Sequence, residues 1–157
     1  MPAFLICMAH LDLFSGLNRG QLGCGRKPIQ IFLDTYSDAP SYSLENVTIL
    51  YEGFRHHIAH CGGPSVPIAK FDKRMAWRLH DKRRGTHSAL ELVRESLPVK
   101  KNRRVYPWPI EMDHRFEICL RTLHKDILKA VRRYANALRD DALVRERFDR
   151  AIQAYFP

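Results

Sequence analysis

Apolar residues recur along this chain at two different periods, and the change of period divides it. Between residues 3 and 17, Phe4, Leu5, Met8 and Leu11, with Phe14 or Leu17, fall three and four apart. That spacing predicts a first helix buried along one side. Ser15-Gly16 and the stretch from Asn18 to Gly25, with Gly20, Gly23 and Gly25, break it into a loop. Pro28 suits the first turn of a short helix ending near Tyr36, and Asp38 to Ser43 reads as a turn-rich connector. A central helix follows over Leu44 to Gly63, with Val47, Leu50, Tyr51, Phe54 and Ile58 as its apolar stripe. Ser43 is its candidate N-cap, and Gly62, Gly63 and Pro64 stop it.

Residues 65–110 differ in character. Met75-Ala76-Trp77-Arg78-Leu79 alternates as a half-buried strand does. Ala89 to Val93 is either its returning strand or part of a short helix over Ser88 to Leu97. Tyr106-Pro107-Trp108-Pro109 is extended, because each proline disfavours helix in the residue before it. The three- and four-residue steps then resume from Asp113. Phe116, Leu120, Leu123, Ile127, Ala130 or Val131, Tyr134 and Leu138 predict a long helix. Arg139-Asp140-Asp141 breaks or caps it, and Leu143 to Phe156 makes a last amphipathic helix through Val144, Phe148, Ile152 and Tyr155. The predicted fold is all-α: one domain over residues 1–157, a bundle of about five helices. A basic, partly extended or β-hairpin insertion interrupts it around residues 65–110.

A chain of 157 residues with 45% hydrophobic content can bury its own core. Its formal charge of +9 changes the picture, because it favours polyanionic partners, with nucleic acid ahead of an anionic membrane surface. A merely solvated basic face is the alternative. Between Lys70 and Arg104 twelve Lys/Arg stand against four Asp/Glu, so nearly all of the excess charge lies there. The runs Lys82-Arg83-Arg84 and Lys100-Lys101-Asn102-Arg103-Arg104 are the candidate nucleic-acid contacts. Interleaved with Trp77, Tyr106 and Trp108, they suit single-stranded RNA, where bases stack on aromatics and cations follow phosphates. The alternative is that both tryptophans fill the core. Cys7, Cys24, Cys61 and Cys119 are scattered without a Cys-x-x-Cys pair, against a zinc ribbon or a disulfide framework. A reduced, cytoplasmic setting is the default. The apolar stretch Ala3 to Ala9 is too short for a membrane span and lacks a basic flank.

The central helix ends in the polar cluster Arg55-His56-His57-Ile58-Ala59-His60, directly before the glycines. Arg-x-x-x-x-His alone is uninformative in a chain this rich in both residues. In this context, however, the segment resembles the HEPN family, which places Arg, a polar residue (most often Asn) and a terminal His on a helix of an all-α bundle. His56 stands where Asn is usual. The segments His10-Leu11-Asp12, Ile31 to Tyr36 and Leu50 to Arg55 are similar to one uncharacterised group of HEPN-like bacterial proteins, so the resemblance covers residues 8–63 and weakly the C-terminal helix. It implies a metal-independent endoribonuclease without cofactor. His60 would be base or proton donor, Arg55 the phosphate stabiliser and His56 a positioning group, in a homodimer with a shared cleft. A toxin or defence setting with an antitoxin or other partner protein would follow. Histidine suits the first role because it titrates near neutrality, and the arginine fork suits phosphate oxygens. In α-helical geometry Arg55 and His60 are splayed by ~140°. Three rivals stand beside it: a binding module with the same bundle but no cleavage, a metal site at His56 and His60 with His57 or Cys61, and a purely structural helix end.

Overall fold

The N-terminal stripe folds as helix α1, Pro2–Arg19, which buries Phe4, Cys7, Met8, Leu11 and Leu17. The computed structural model describes residues 2–23, 25–37, 42–56, 75–81, 88–97 and 112–155. Gly20 and Gly23 both take φ of 83°, a left-handed conformation that L side chains resist. They turn the chain into α2, Arg26–Tyr36, with Pro28 in its first turn. Ile29, Phe32, Leu33 and Tyr36 form its buried side. Tyr42 is fully buried, and its hydroxyl donates to Asp126 Oδ2 at 2.9 Å, pinning the start of the next helix to a distant one. Ser43 then caps α3, Leu44–Thr48, by accepting from the Asn46 amide at 3.1 Å, as its position predicts.

The central segment departs from expectation after Thr48. A single α-helix through Gly63 is expected, but Ile49–His56 winds as a π-helix, labelled π1. Two features ease that departure. The Thr48 hydroxyl donates to the Leu44 carbonyl at 2.6 Å, competing for an acceptor of the α ladder. Gly53 lowers the loss on leaving α geometry. Val47, Ile49 and Leu50 all have 0% exposure, so the segment enters the core at adjacent positions rather than along one stripe. Ile58 and the stop at Gly62, Gly63 and Pro64 lie outside the described residues.

The insertion contains a three-stranded mixed sheet: β1 Met75–His80, β2 Leu90–Leu97 and β3 Met112–Cys119, in the order β1-β3-β2. Both expected strands form, but not as a hairpin with each other. Each pairs with β3, β1 in parallel and β2 antiparallel. The third strand occupies residues read as the start of the long helix. Phe116 fits either period, whereas Ile118 decides between them. Both are 0% exposed, and residues two apart share a face on a strand but point apart on a helix.

Helix α4, Leu120–Asp140, begins where β3 ends and buries Leu123, Ile127, Ala130 and Tyr134. The Asp141 carboxylate accepts from the amides of Leu143 and Val144 at 2.8 and 3.3 Å, capping α5, Ala142–Tyr155. Arg145 returns to the Leu138 and Arg139 carbonyls at 3.1 and 2.6 Å, closing the end of α4. Helix α1 packs on α2, α4 and α5, while α3 rests against α2 and β2. Phe32, Tyr36 and Tyr134 meet in tilted and edge-to-face arrangements with ring centroids 5.3 to 5.8 Å apart inside the bundle. The result is an all-α bundle of five helices, α3 and π1 counting as one, with a small mixed sheet inserted before α4.

Two outcomes follow from this packing. A Cβ at Gly20 would meet the Arg147 carbonyl oxygen at 3.3 Å, on top of its left-handed φ. Gly20→Ala is therefore expected to lower unfolding free energy by about 1–2 kcal/mol in urea titration. Asp126 is half-buried; desolvation pushes its carboxyl above the usual range, opposed by the Tyr42 hydrogen bond and by Lys129. The folded state thus holds this proton more tightly than the unfolded state, so the group's contribution falls as pH rises from the unfolded value through the folded one. Asp126→Asn keeps an acceptor for Tyr42 and removes that loss. Its melting temperature relative to wild type should be higher at pH 7 than at pH 3; the reverse order would contradict the assignment.

Candidate functional site

Strand alternation gives the sheet two unlike faces. One carries Phe116, Ile118 and Leu90 into the core, with Leu79 and Leu92 beside them. The other carries Arg78 and His80 from β1 and Arg115 and Glu117 from β3. Arg78 and Glu117 are register partners, the arrangement in which oppositely charged side chains on neighbouring strands meet most directly.

Glu117 is the hub. Arg115 Nε donates to its Oε1 at 2.8 Å, Arg78 Nη1 lies 4.0 Å from the same oxygen, and His80 Nε2 lies 3.7 Å from Oε2. The Glu117 side chain is 13% exposed and that of His80 9%, whereas Arg78 is 51% exposed. The carboxylate is therefore inside the cluster and one guanidinium looks outward. The His80–Glu117 separation exceeds hydrogen-bond length, so the pair attracts when the imidazole is protonated but is not an acid–base couple in contact. Glu91 of β2 is the register partner of Glu117 and puts a second carboxylate on the same face, so the exposed Arg78 is the cation of the cluster suited to holding an anion. At the end of β1, Arg121 grips Asp81 through two hydrogen bonds of 2.9 and 3.3 Å, fixing the strand end to the first turn of α4.

Of the residues singled out by sequence, Arg55 and His56 lie at the end of π1. His60, His57 and Cys61 lie outside the described residues, as do Lys82, Arg83, Arg84, Lys100, Lys101, Arg103 and Arg104. In sequence, Lys82 to Arg84 follow β1, and Lys100 to Arg104 lie between β2 and β3. Arg78, His80, Arg115 and Glu117 were missed by sequence reasoning. Their signal is the pair of triplets Arg78-Leu79-His80 and Arg115-Phe116-Glu117, polar residues alternating about an apolar one. The second triplet was absorbed by the helical period of α4.

Among the described residues, no group of three or more His, Cys, Asp or Glu is placed to hold a metal ion, and no helix is long and apolar enough to cross a membrane. Cys7 and Cys119 are buried free thiols, and desolvation pushes the Cys7 thiol up. No protein-family model, curated protein or solved structure matches the chain.

The hub can be tested directly. Glu117→Gln leaves Arg115 and Arg78 facing a neutral amide in a largely enclosed site. It is expected to cost about 1–3 kcal/mol of unfolding free energy, read by chemical denaturation. An unchanged midpoint would show that the carboxylate does not organise the face.

Proposed function

We propose that the protein is RNA-directed: it binds single-stranded RNA along the polar face of the sheet and cleaves it without metal through the HEPN-like segment. The observation that carries the binding half is Arg78, an exposed guanidinium on the edge strand that leads into Lys82-Arg83-Arg84. Lys100, Lys101, Arg103 and Arg104 follow β2 in sequence and add to the same excess of positive charge. Phosphates spaced along a single strand suit such a row of cations.

The cleavage half rests on the resemblance of Arg55 to His60. In this reading His60 accepts the 2′-hydroxyl proton, Arg55 stabilises the phosphate as its charge grows, and His56 positions one of them. Arg55 and His56 occupy the last two positions of π1, and the ~140° splay that α geometry gives an Arg-x-x-x-x-His pair is what a composite cleft between two chains relieves. Pairing of two chains, with both motifs in one cleft, belongs to the same proposal.

The test is cleavage of a mixed single-stranded RNA in excess EDTA by wild type, Arg55→Ala and His60→Ala. Cyclic-phosphate ends made by wild type, reduced about 100-fold or more in both variants, are expected. Replacing Lys82, Arg83 and Arg84 with Gln should weaken RNA binding and flatten its salt dependence by about 0.7 per lost phosphate contact. RNA bound but uncut by folded wild type would leave a binding module. Cleavage equal in all three proteins would remove the roles given to Arg55 and His60.

A further inference from the structure

The helical layer holds a second polar concavity, lined by no residue of the sheet or of π1. It is a cavity of about 450 Å³ where the end of α1, the start of α2 and the first half of α5 meet. Arg19 from α1, Lys27 from α2 and Arg147 from α5 converge on it, with Ser15 and Asn18 as its inner polar wall and Ile31 on its apolar side. Among the described residues no carboxylate lines it. None of the three cations has an ion pair among the described residues. The nearby Asp141, which acts on the Tyr36 hydroxyl, spends its carboxylate on the α5 amides.

One neutral group of the cavity, Asn18, also donates. Asn18 is only 9% exposed, and its Oδ1 accepts from the Tyr36 hydroxyl at 3.2 Å, which leaves the amide nitrogen as the donor on the cavity side. Gly25 at the head of α2 supplies no side-chain cap. The amides of Arg26 and Lys27 have no acceptor among the described residues, and Pro28 has no amide to offer. An uncapped helix start with its positive dipole end draws anions. The site is built by close packing: Gly20, for want of a Cβ, lets the backbone of Arg147 approach the end of α1.

We infer that this cavity is a binding site for a phosphate-terminated ligand of about nucleotide size, held by Arg19, Lys27, Arg147 and the Asn18 amide. A volume of this order matches small-ligand sites, and a terminal phosphate is the compact, multiply charged anion that three cations without ion pairs among the described residues and the Asn18 amide complement. The same chemistry is offered by a free nucleotide and by the 5′-phosphate of an RNA. The inference does not depend on Arg55 and His60, because the two regions share no residue.

Calorimetric titration of the full chain with inorganic phosphate, pyrophosphate and ADP tests it. Wild type would be compared with Arg147→Gln, Lys27→Gln and Arg132→Gln, the last removing an exposed cation of α4 that does not line the cavity. Saturable binding of pyrophosphate or ADP is expected, weakened about tenfold by each cavity variant and unchanged in the control. A 5′-phosphorylated and a 5′-hydroxyl oligoribonucleotide then separate the two sources: preference for the phosphorylated end assigns the site to RNA termini, and binding of the nucleotide alone to free ligand. No saturable binding of any of these by folded wild type overturns the inference. So does binding that both cavity variants leave intact, or that Arg132→Gln weakens equally.

Discussion

The described structure depends on one junction, the passage from strand to helix between Cys119 and Leu120. β3 is the strand on which both others pair, and α4 is the helix against which α1, α2 and α5 pack. With no loop between them, the sheet's orientation is inherited from the helix. The Cys119 amide is fixed by the Ala89 carbonyl at 3.0 Å, so the last residue of β3 is held as α4 begins. Phe116, Ile118, Leu123, Ile127, Ala130 and Tyr134 are each at most 1% exposed, an unbroken apolar wall that changes period in mid-course. Each of the larger side chains contributes about 1.5–3 kcal/mol by leaving water. Because Phe116 and Ile118 must face inward, Arg115 and Glu117 must face outward. The polar network is thus a consequence of core packing rather than an independent feature.

That coupling also explains what could be read from the sequence. Helices α1, α2, α4 and α5 were legible because each has an uninterrupted stripe, and Ser43 was legible as a cap because a cap is a local interaction. Phe116 was correctly read as buried but on the wrong element, since a spacing of four to Leu120 satisfies a helix while a spacing of two to Ile118 satisfies a strand. Only the demand that Ile118 also be buried separates them, and that demand comes from β1 and β2, which are distant in sequence. The β-hairpin option does not form for the same reason: Met75 to Leu79 reads as a strand and Ala89 to Val93 as a strand or part of a helix, but the partner that both pair with, β3, reads as the start of a helix. The π winding of Ile49–His56 left no trace in the apolar pattern, because Tyr51 and Phe54 continue the α spacing.

The candidate groups divide along the same line. Arg55 and His60 are visible in sequence because they lie within six positions of each other. The Glu117 network and the α1–α2–α5 cavity are assembled from residues tens of positions apart, and no local pattern announces them. In the cavity the decisive signal is negative as well as distant: Arg19, Lys27 and Arg147 are ordinary surface cations in the sequence. They become unusual only once packing brings them together without a carboxylate.

This difference in internal neutralisation separates the two anion-handling regions physically. At the sheet, Glu117 already balances Arg115 and lies near Arg78, so an arriving phosphate competes with a built-in anion and gains most from the outermost cation. Such a face favours shallow, repeated contacts that shift along a strand, as the proposed RNA binding requires. In the cavity no carboxylate among the described lining residues competes, and the bound anion itself relieves the repulsion among three positive charges. On these proposals the sheet recognises length of polyanion and the cavity recognises a single terminal group, because one region carries its own counter-charge and the other requires it from the ligand.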